Sequence, residues 1–202
     1  MPKPANADAA KLKKLGKYLK NKRRSIIKFE YQKKPEYINV WVDSDYAGCA
    51  KTRKSASGGM TCFGRHLIKS WSTTQAVIAL SSGEAEHYGI VKGSSIGLGL
   101  RALLDEFGVR DSRKIKMLTD ASAAKGIAMR RGLGKVRHIE VTQLWVQEKV
   151  QAGEIEIIKV KTGENLADGM TKYIDSEKIR NQLIWTSQQI REGRHELMPA
   201  VV

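Results

Sequence analysis

The chain is short of the residues from which metal fingers, disulfide scaffolds and membrane spans are made. Its 202 residues hold only two cysteines, Cys49 and Cys62, and no further Cys or His stands near either at the spacing of a zinc site. Neither a structural zinc nor a disulfide framework is indicated, and a reducing, intracellular setting is expected. No apolar run approaches the roughly 20 residues that cross a bilayer, so no membrane partner is expected, and the opening Met1-Pro-Lys-Pro has none of the features of a secretory signal. Acidic side chains are also few, 21 against 36 Lys and Arg, for a formal net charge of +15. A surface of that sign draws in a polyanion.

The excess is unevenly placed, because residues 1–34 carry 12 basic and 2 acidic side chains. Within them Leu12, Leu15 and Leu19 recur at helical spacing, which predicts a short basic helix with one apolar edge, ending at Lys22-Arg23-Arg24. Charge alone fits a solvated helix face as well as a nucleic-acid contact. With 41% hydrophobic residues the chain can bury one sizeable core. The expected organisation is a basic helical segment over 1–34, one domain over 35–175 and a polar, partly helical tail over 176–202.

Tyr37 to Asp43 alternates β-branched and aromatic residues as a strand does, and Gly59–Phe63 and Leu67–Ser72, joined by Gly64-Arg65-His66, complete an antiparallel meander. Ser81-Ser-Gly-Glu84 has the form of a helix capping box, and Ile96, Leu100, Leu103, Leu104 and Phe107 mark an apolar stripe up to Gly108. A fourth strand over Lys114–Thr119, a helix after Asp120, a further helix around Val141, Leu144 and Trp145, a fifth strand over Glu154–Val160 and a last helix from near Glu164 follow. The order describes an α/β fold, a mixed five-stranded sheet flanked by helices.

Four acids fall at telling places in that order. Asp43 closes the first strand, with Asp45 on the same face by alternation, although Asp-x-Asp before Gly48 also suits a solvated turn. Glu84 and Glu86 lie about 200° apart around their helix; Glu86 falls in line with Leu104, five turns on, and faces the sheet, whereas Glu84 at the capping-box position faces solvent. Asp120 ends the fourth strand, where a helix cap is the competing reading, and Asp168 opens the last helix, where it would also complement the dipole. Jointly Asp43, Glu86, Asp120 and Asp168 predict a carboxylate cage whose hard oxygens suit Mg²⁺. Two such ions about 3.5–4 Å apart serve phosphodiester hydrolysis. A second basic cluster, Arg130, Arg131, Lys135, Arg137 and His138, reads either as a phosphate contact or as a solvated loop. Trp41, Trp71 and Trp145 fit core positions, while Trp185 has no assignment from pattern.

The segments Asp43-Ser-Asp-Tyr-Ala-Gly48, Arg53-Lys-Ser-Ala-Ser-Gly58, Ser70-Trp-Ser72 with Gln75, Ala79-Leu-Ser-Ser-Gly-Glu-Ala-Glu-His87, Thr119-Asp120, Arg137-His-Ile139 and Leu166-Ala-Asp-Gly-Met-Thr-Lys172 keep the order and approximate spacing of one family. Over residues 37–174 the chain resembles the ribonuclease H domain of copia-type retrotransposon Pol polyproteins. The resemblance implies a ribonuclease H-like fold and two Mg²⁺ ions, with Mn²⁺ as a substitute. It also implies hydrolysis of the RNA strand of an RNA–DNA hybrid during reverse transcription, in a cytoplasmic retrotransposon particle. Carried over by motif, it assigns Asp43, Glu86, Asp120 and Asp168 as catalytic metal ligands, with Asp45, Ser82 and Glu84 as supporting residues. It likens Ala9–Lys20 to the last helix of a reverse transcriptase. Unlike bacterial and retroviral relatives, Lys159-Val-Lys-Thr-Gly-Glu164 places no His before the last acid. The helix glycines Gly89, Gly93, Gly97 and Gly99 suggest a drifted, weakly stable element. Two rivals stand beside this reading. An integrase-like strand transferase is disfavoured because its Glu comes last; the other is a decayed domain that only binds nucleic acid or a polymerase.

Overall fold

The computed structural model describes residues 5–22, 24–109, 114–134 and 136–193. The elements in chain order are α1 (Asn6–Asn21), β1 (Arg24–Ile27), β2 (Tyr37–Asp45), β3 (Ala56–Phe63), β4 (His66–Thr74), α2 (Ser82–Glu106), β5 (Lys114–Thr119), α3 (Ser122–Met129), α4 (Trp145–Gln151), β6 (Ile155–Lys159), α5 (Asp168–Thr171), α6 (Ser176–Trp185) and β7 (Gln188–Arg191). The central sheet runs β4-β3-β2-β5-β6. Its meander is antiparallel, while β5 lies parallel to β2 and β6 parallel to β5. This is the mixed, ribonuclease H-like α/β architecture that the sequence predicts.

Alternation along β2 divides the core in two. Ile38, Val40 and Val42 are wholly buried on one face with Ile90, Ile115 and Met117, and Trp41 packs on the other with Met60, Cys62 and Leu67. The meander strands are longer than the apolar pattern shows. Ala56 and Ser57 pair with Thr74 and Thr73, a polar stretch whose strand conformation comes from its neighbour and not from its own periodicity. The Gly64-Arg65 turn between β3 and β4 needs its glycine, whose φ is +59°.

The sheet-facing line of α2 is made of Gly89, Ile90, Gly93 and Gly97, all buried. Of the expected stripe, Ile96, Leu100 and Leu104 pack at the core margin. Leu103 and Phe107 are 45% and 72% exposed, because a 25-residue helix reaches about 37 Å and outruns the strands beneath it. Gly93 and Gly97 are therefore packing residues, whereas Gly99 faces open space. A Cβ on Gly93 would come within 2.6 Å of Val42 Cγ1, and one on Gly97 within 3.1 Å of Ile115 and Val40.

Residues 176–191, read from sequence as a polar, partly helical tail, form α6 and β7 and pack on the domain. Trp185 meets Trp41 edge to face with centroids 6.0 Å apart, and buried Gln182 donates to the Leu166 carbonyl at 2.7 Å. Pattern also missed the two-stranded antiparallel sheet of β1 and β7, in which four-residue strands pair across the whole chain. The expected helix near Glu164 divides into the single turn α5 and the separate α6. The predicted basic helix forms as α1, yet it buries none of its residues, and Leu12, Leu15 and Leu19 stay exposed. No described helix is long and apolar enough to cross a membrane.

The glycine line gives a paired test by urea unfolding. Gly93→Ala, which pushes a methyl into Val42, should lose about 1–3 kcal/mol of stability. Gly99→Ala, with nothing within 4 Å, should gain up to about 1 kcal/mol from helix propensity alone.

Candidate metal centre

Parallel pairing of β2 with β5 brings their C-terminal ends to one edge of the sheet, and so brings Asp43 and Asp120 together. Asp168 arrives from a turn tethered to the same strand: the buried Asn165 side chain donates to the Val42 carbonyl at 2.8 Å and accepts from the Ala167 N–H at 3.1 Å. One carboxylate oxygen from each of Asp43, Asp120 and Asp168 lies within 4.8 Å of the other two. Asp43 is 1% exposed; burial raises its pKa, against a hydrogen bond from Thr171 and the charge of Lys172.

Glu86 stands outside this tight group but beside it. Burial, then the charges of Asp43 and Asp120, push its carboxyl up to about 8, against a hydrogen bond from the Ser44 backbone. Its Oε2 is buried with no hydrogen-bond partner. Three clustered aspartates, with an orphaned carboxylate oxygen on an acid that feels the charges of two of them, offer the hard oxygen donors a divalent cation takes, so the residues present fit the expected ion.

One of the competing readings from sequence fails here. Asp120 does not cap α3: Ala121 is the N-cap, and its N–H is taken by Thr119 Oγ1 at 3.2 Å. Asp168 does stand in the first turn of a helix, one of four residues, so its place in the cluster and a dipole role coexist. Asp45 turns from the cluster and accepts the Ala56 N–H, pinning the start of β3.

Sequence reasoning missed Lys172. Its ammonium lies 3.3 Å from Asp43 Oδ2 and 3.1 Å from Asp168 Oδ1. Burial would lower its pKa, but Asp168 and Asp43 outweigh that and raise it. The signal was present, since Lys172 follows Asp168 at i+4 and shares its face. Thr171 Oγ1 donates to Asp43 Oδ2.

Glu84 departs from expectation. It is 2% exposed, not solvent-facing, and accepts from the Leu80 N–H at 2.8 Å and the Tyr88 hydroxyl at 2.7 Å, with His138 Nε2 at 2.7 Å. Burial pushes the carboxyl up, but the hydrogen bonds of Tyr88, His138 and the Leu80 backbone hold it below its ordinary value. Half of the capping box forms, Ser81 accepting the Glu84 N–H, while a loop from far along the chain covers the first turn. Ser82 remains exposed there.

The second basic cluster is divided. Arg130 turns inward, half-buried, and donates to the Leu133 carbonyl, and His138 is engaged by Glu84. Arg131 and Arg137 are exposed, and Lys135 lies outside the described residues. The physical reason is a loop closed on itself, with Gly132 and Gly134 at positive φ and the Gln147 amide bonded to both the N–H and the carbonyl of Gly132.

Sheet and site together define an α/β protein of ribonuclease H type with an acidic cluster at the ends of two parallel strands. The chain is 28% identical over 142 residues to the retrovirus-related Pol polyprotein from transposon TNT 1-94 of Nicotiana tabacum, covering 70% of this chain and 11% of that protein. It is 27% identical over 145 residues to the corresponding polyprotein from transposon RE1 of Arabidopsis thaliana, covering 71% and 10%. The chain is thus similar to plant retrotransposon Pol polyproteins and spans about a tenth of the length of those it matches. No family model matches it. Among solved structures, LC11-RNase H1 in complex with an RNA/DNA hybrid aligns at 11% identity and a TM-score of 0.42, over 66% of this chain and 93% of that one. An N-terminal RNase H domain from Mycobacterium tuberculosis aligns at 16% and 0.43, over 73% and 96%.

Two predictions follow from the charges. Between the unfolded pKa of Glu86 and its raised value of about 8, the unfolded state gives up its proton first, so metal-free stability falls as pH rises through that window. Glu86→Gln should abolish this slope, gaining on the wild type by roughly 2 kcal/mol at pH 8.5 and little at pH 4; matching slopes in denaturant titrations would refute a protonated Glu86. Glu84→Ala removes the one buried acceptor shared by three donors and should cost about 1–3 kcal/mol in the same assay, with Mn²⁺ affinity by calorimetry unchanged.

Proposed function

We propose that residues 35–175 form a divalent-metal-dependent ribonuclease H that hydrolyses the RNA strand of RNA–DNA hybrids in retrotransposon reverse transcription. The carrying observation is the convergence of Asp43, Asp120 and Asp168 within 4.8 Å, with the unpartnered Glu86 oxygen beside them. Catalytic roles go to these four acids, which would hold two Mg²⁺ or Mn²⁺ ions. Such ions supply Lewis acidity and neutralise charge on the phosphodiester. Asn165 and Thr171 hold Asp168 and Asp43 in place, and Lys172 supplies countercharge in the metal-free protein.

The hybrid is held through its backbone and groove shape, with the RNA strand told apart by its 2′-hydroxyls. Arg131 and Arg137 are exposed members of the loop cluster suited to phosphate contact, and the reading extends to Lys135, outside the described residues. Because the relatives are Pol polyproteins, residues 1–34 are read as continuing from a reverse transcriptase domain, against which the exposed leucines of α1 would pack. An intracellular retrotransposon particle is the setting this reading implies.

Incubation of the chain with a labelled hybrid, with and without Mg²⁺, tests the reading directly. Cleavage should require the metal and spare duplex DNA and single-stranded RNA. Asp120→Asn should cut at least about 100-fold more slowly while binding the hybrid as well as, or better than, wild type in metal-free buffer, since a charge repelling phosphate is gone. Hybrid bound but never cut would identify a binding module instead.

A further inference from the structure

A cleft of about 440 Å³ opens beside the acidic cluster, between the 163–169 turn and α6. Asp168 lines the cleft and belongs to the cluster, so the two are continuous. Trp41 and Trp185 form its aromatic wall, and Lys178 and Asn181 stand on its rim, as does Glu164. Trp185 is 61% exposed and meets Trp41 edge to face at an interplanar angle of 71°, which leaves its face open to the cleft. A bare aromatic face beside an acidic cluster read as a phosphodiester site, in a chain of net charge +15, is the arrangement on which nucleic-acid bases stack.

The space selects among nucleic-acid forms. A cleft this size admits one planar base but no duplex, and bases inside a hybrid already have both faces covered by neighbours. Trp41 precedes Asp43 by two residues on one face of β2, about 7 Å, a reach of about one or two nucleotides. We infer that the cleft binds the base of an unpaired nucleotide on the strand whose phosphate lies at the acidic cluster, at a single-stranded flank of the hybrid. Trp185 supplies the stacking face, the Asn181 amide a partner for the base edge, and Lys178 a countercharge for the adjoining phosphate. The inference rests on the ribonuclease H reading for the placement of that phosphate.

Fluorescence anisotropy in EDTA, with a blunt RNA–DNA hybrid and the same hybrid carrying a short single-stranded RNA extension, tests it. Wild type should bind the extended substrate about tenfold more tightly than the blunt one. Trp185→Ala should lose that preference, retain blunt-hybrid affinity and cut the blunt hybrid in Mg²⁺ at the wild-type rate, and Trp185→Phe should keep most of the preference. Equal wild-type affinity for the two substrates overturns the inference, as does a preference that survives Trp185→Ala or an equal loss for both substrates in that variant. Failure to cut the blunt hybrid, with the extension preference intact, would sink the nuclease reading and leave the cleft standing.

Discussion

The parallel register of β2 against β5 is the constraint on which the rest of the molecule depends. Tyr37 pairs with Lys114 and Trp41 with Leu118, so both strands point their C-terminal ends the same way, and Asp43 near the end of β2 meets Asp120 one residue past the end of β5. A parallel pair needs a long crossover, and here the meander and α2 lie between the two strands. That crossover lays α2 over the junction and carries Glu86 to the same edge. The glycine line of α2 sets how closely the helix approaches, and the Asn165 tether brings Asp168 in from the far side.

Such an assembly is electrostatically unfavourable on its own. Asp43 and Glu86 are both raised by burial, and each feels another acid. The protein moderates this locally: Lys172 lies between Asp43 and Asp168, Thr171 donates to Asp43, and the Glu86 carboxyl, pushed up to about 8, holds its proton more tightly than an ordinary glutamate. Glu84 shows the opposite solution only two residues away, where a buried carboxylate is satisfied by three donors and stays ionised. One helix turn thus holds a structural acid and an acid with an open valence, and their hydrogen bonding tells them apart.

Much of this was legible in the sequence, for reasons of range. Strand alternation located Asp43 and the end of β5 located Asp120, because both depend on local pattern, and helix arithmetic aimed Glu86 at the sheet. The same arithmetic sent Glu84 to solvent, since nothing near it in sequence announces that His138, 54 residues on, folds over it. The pairing of β1 with β7 and the contact of Trp185 with Trp41 were invisible for the same reason, being made between short segments with no periodicity of their own. Lys172 is different. Its i+4 relation to Asp168 was readable, but the motif was read for acids alone.

The small β1–β7 sheet also has a mechanical meaning. Its antiparallel register sets Arg24 opposite Arg191, so the chain enters and leaves the domain side by side at one end of the ribbon. Tension applied through the two flanks would peel this ribbon rung by rung, starting from a mouth already weakened by facing like charges, and would not shear it. Four rungs opened one at a time resist far less than the longer strands of the central sheet, so under such tension the ribbon would part before the strands that carry the acids.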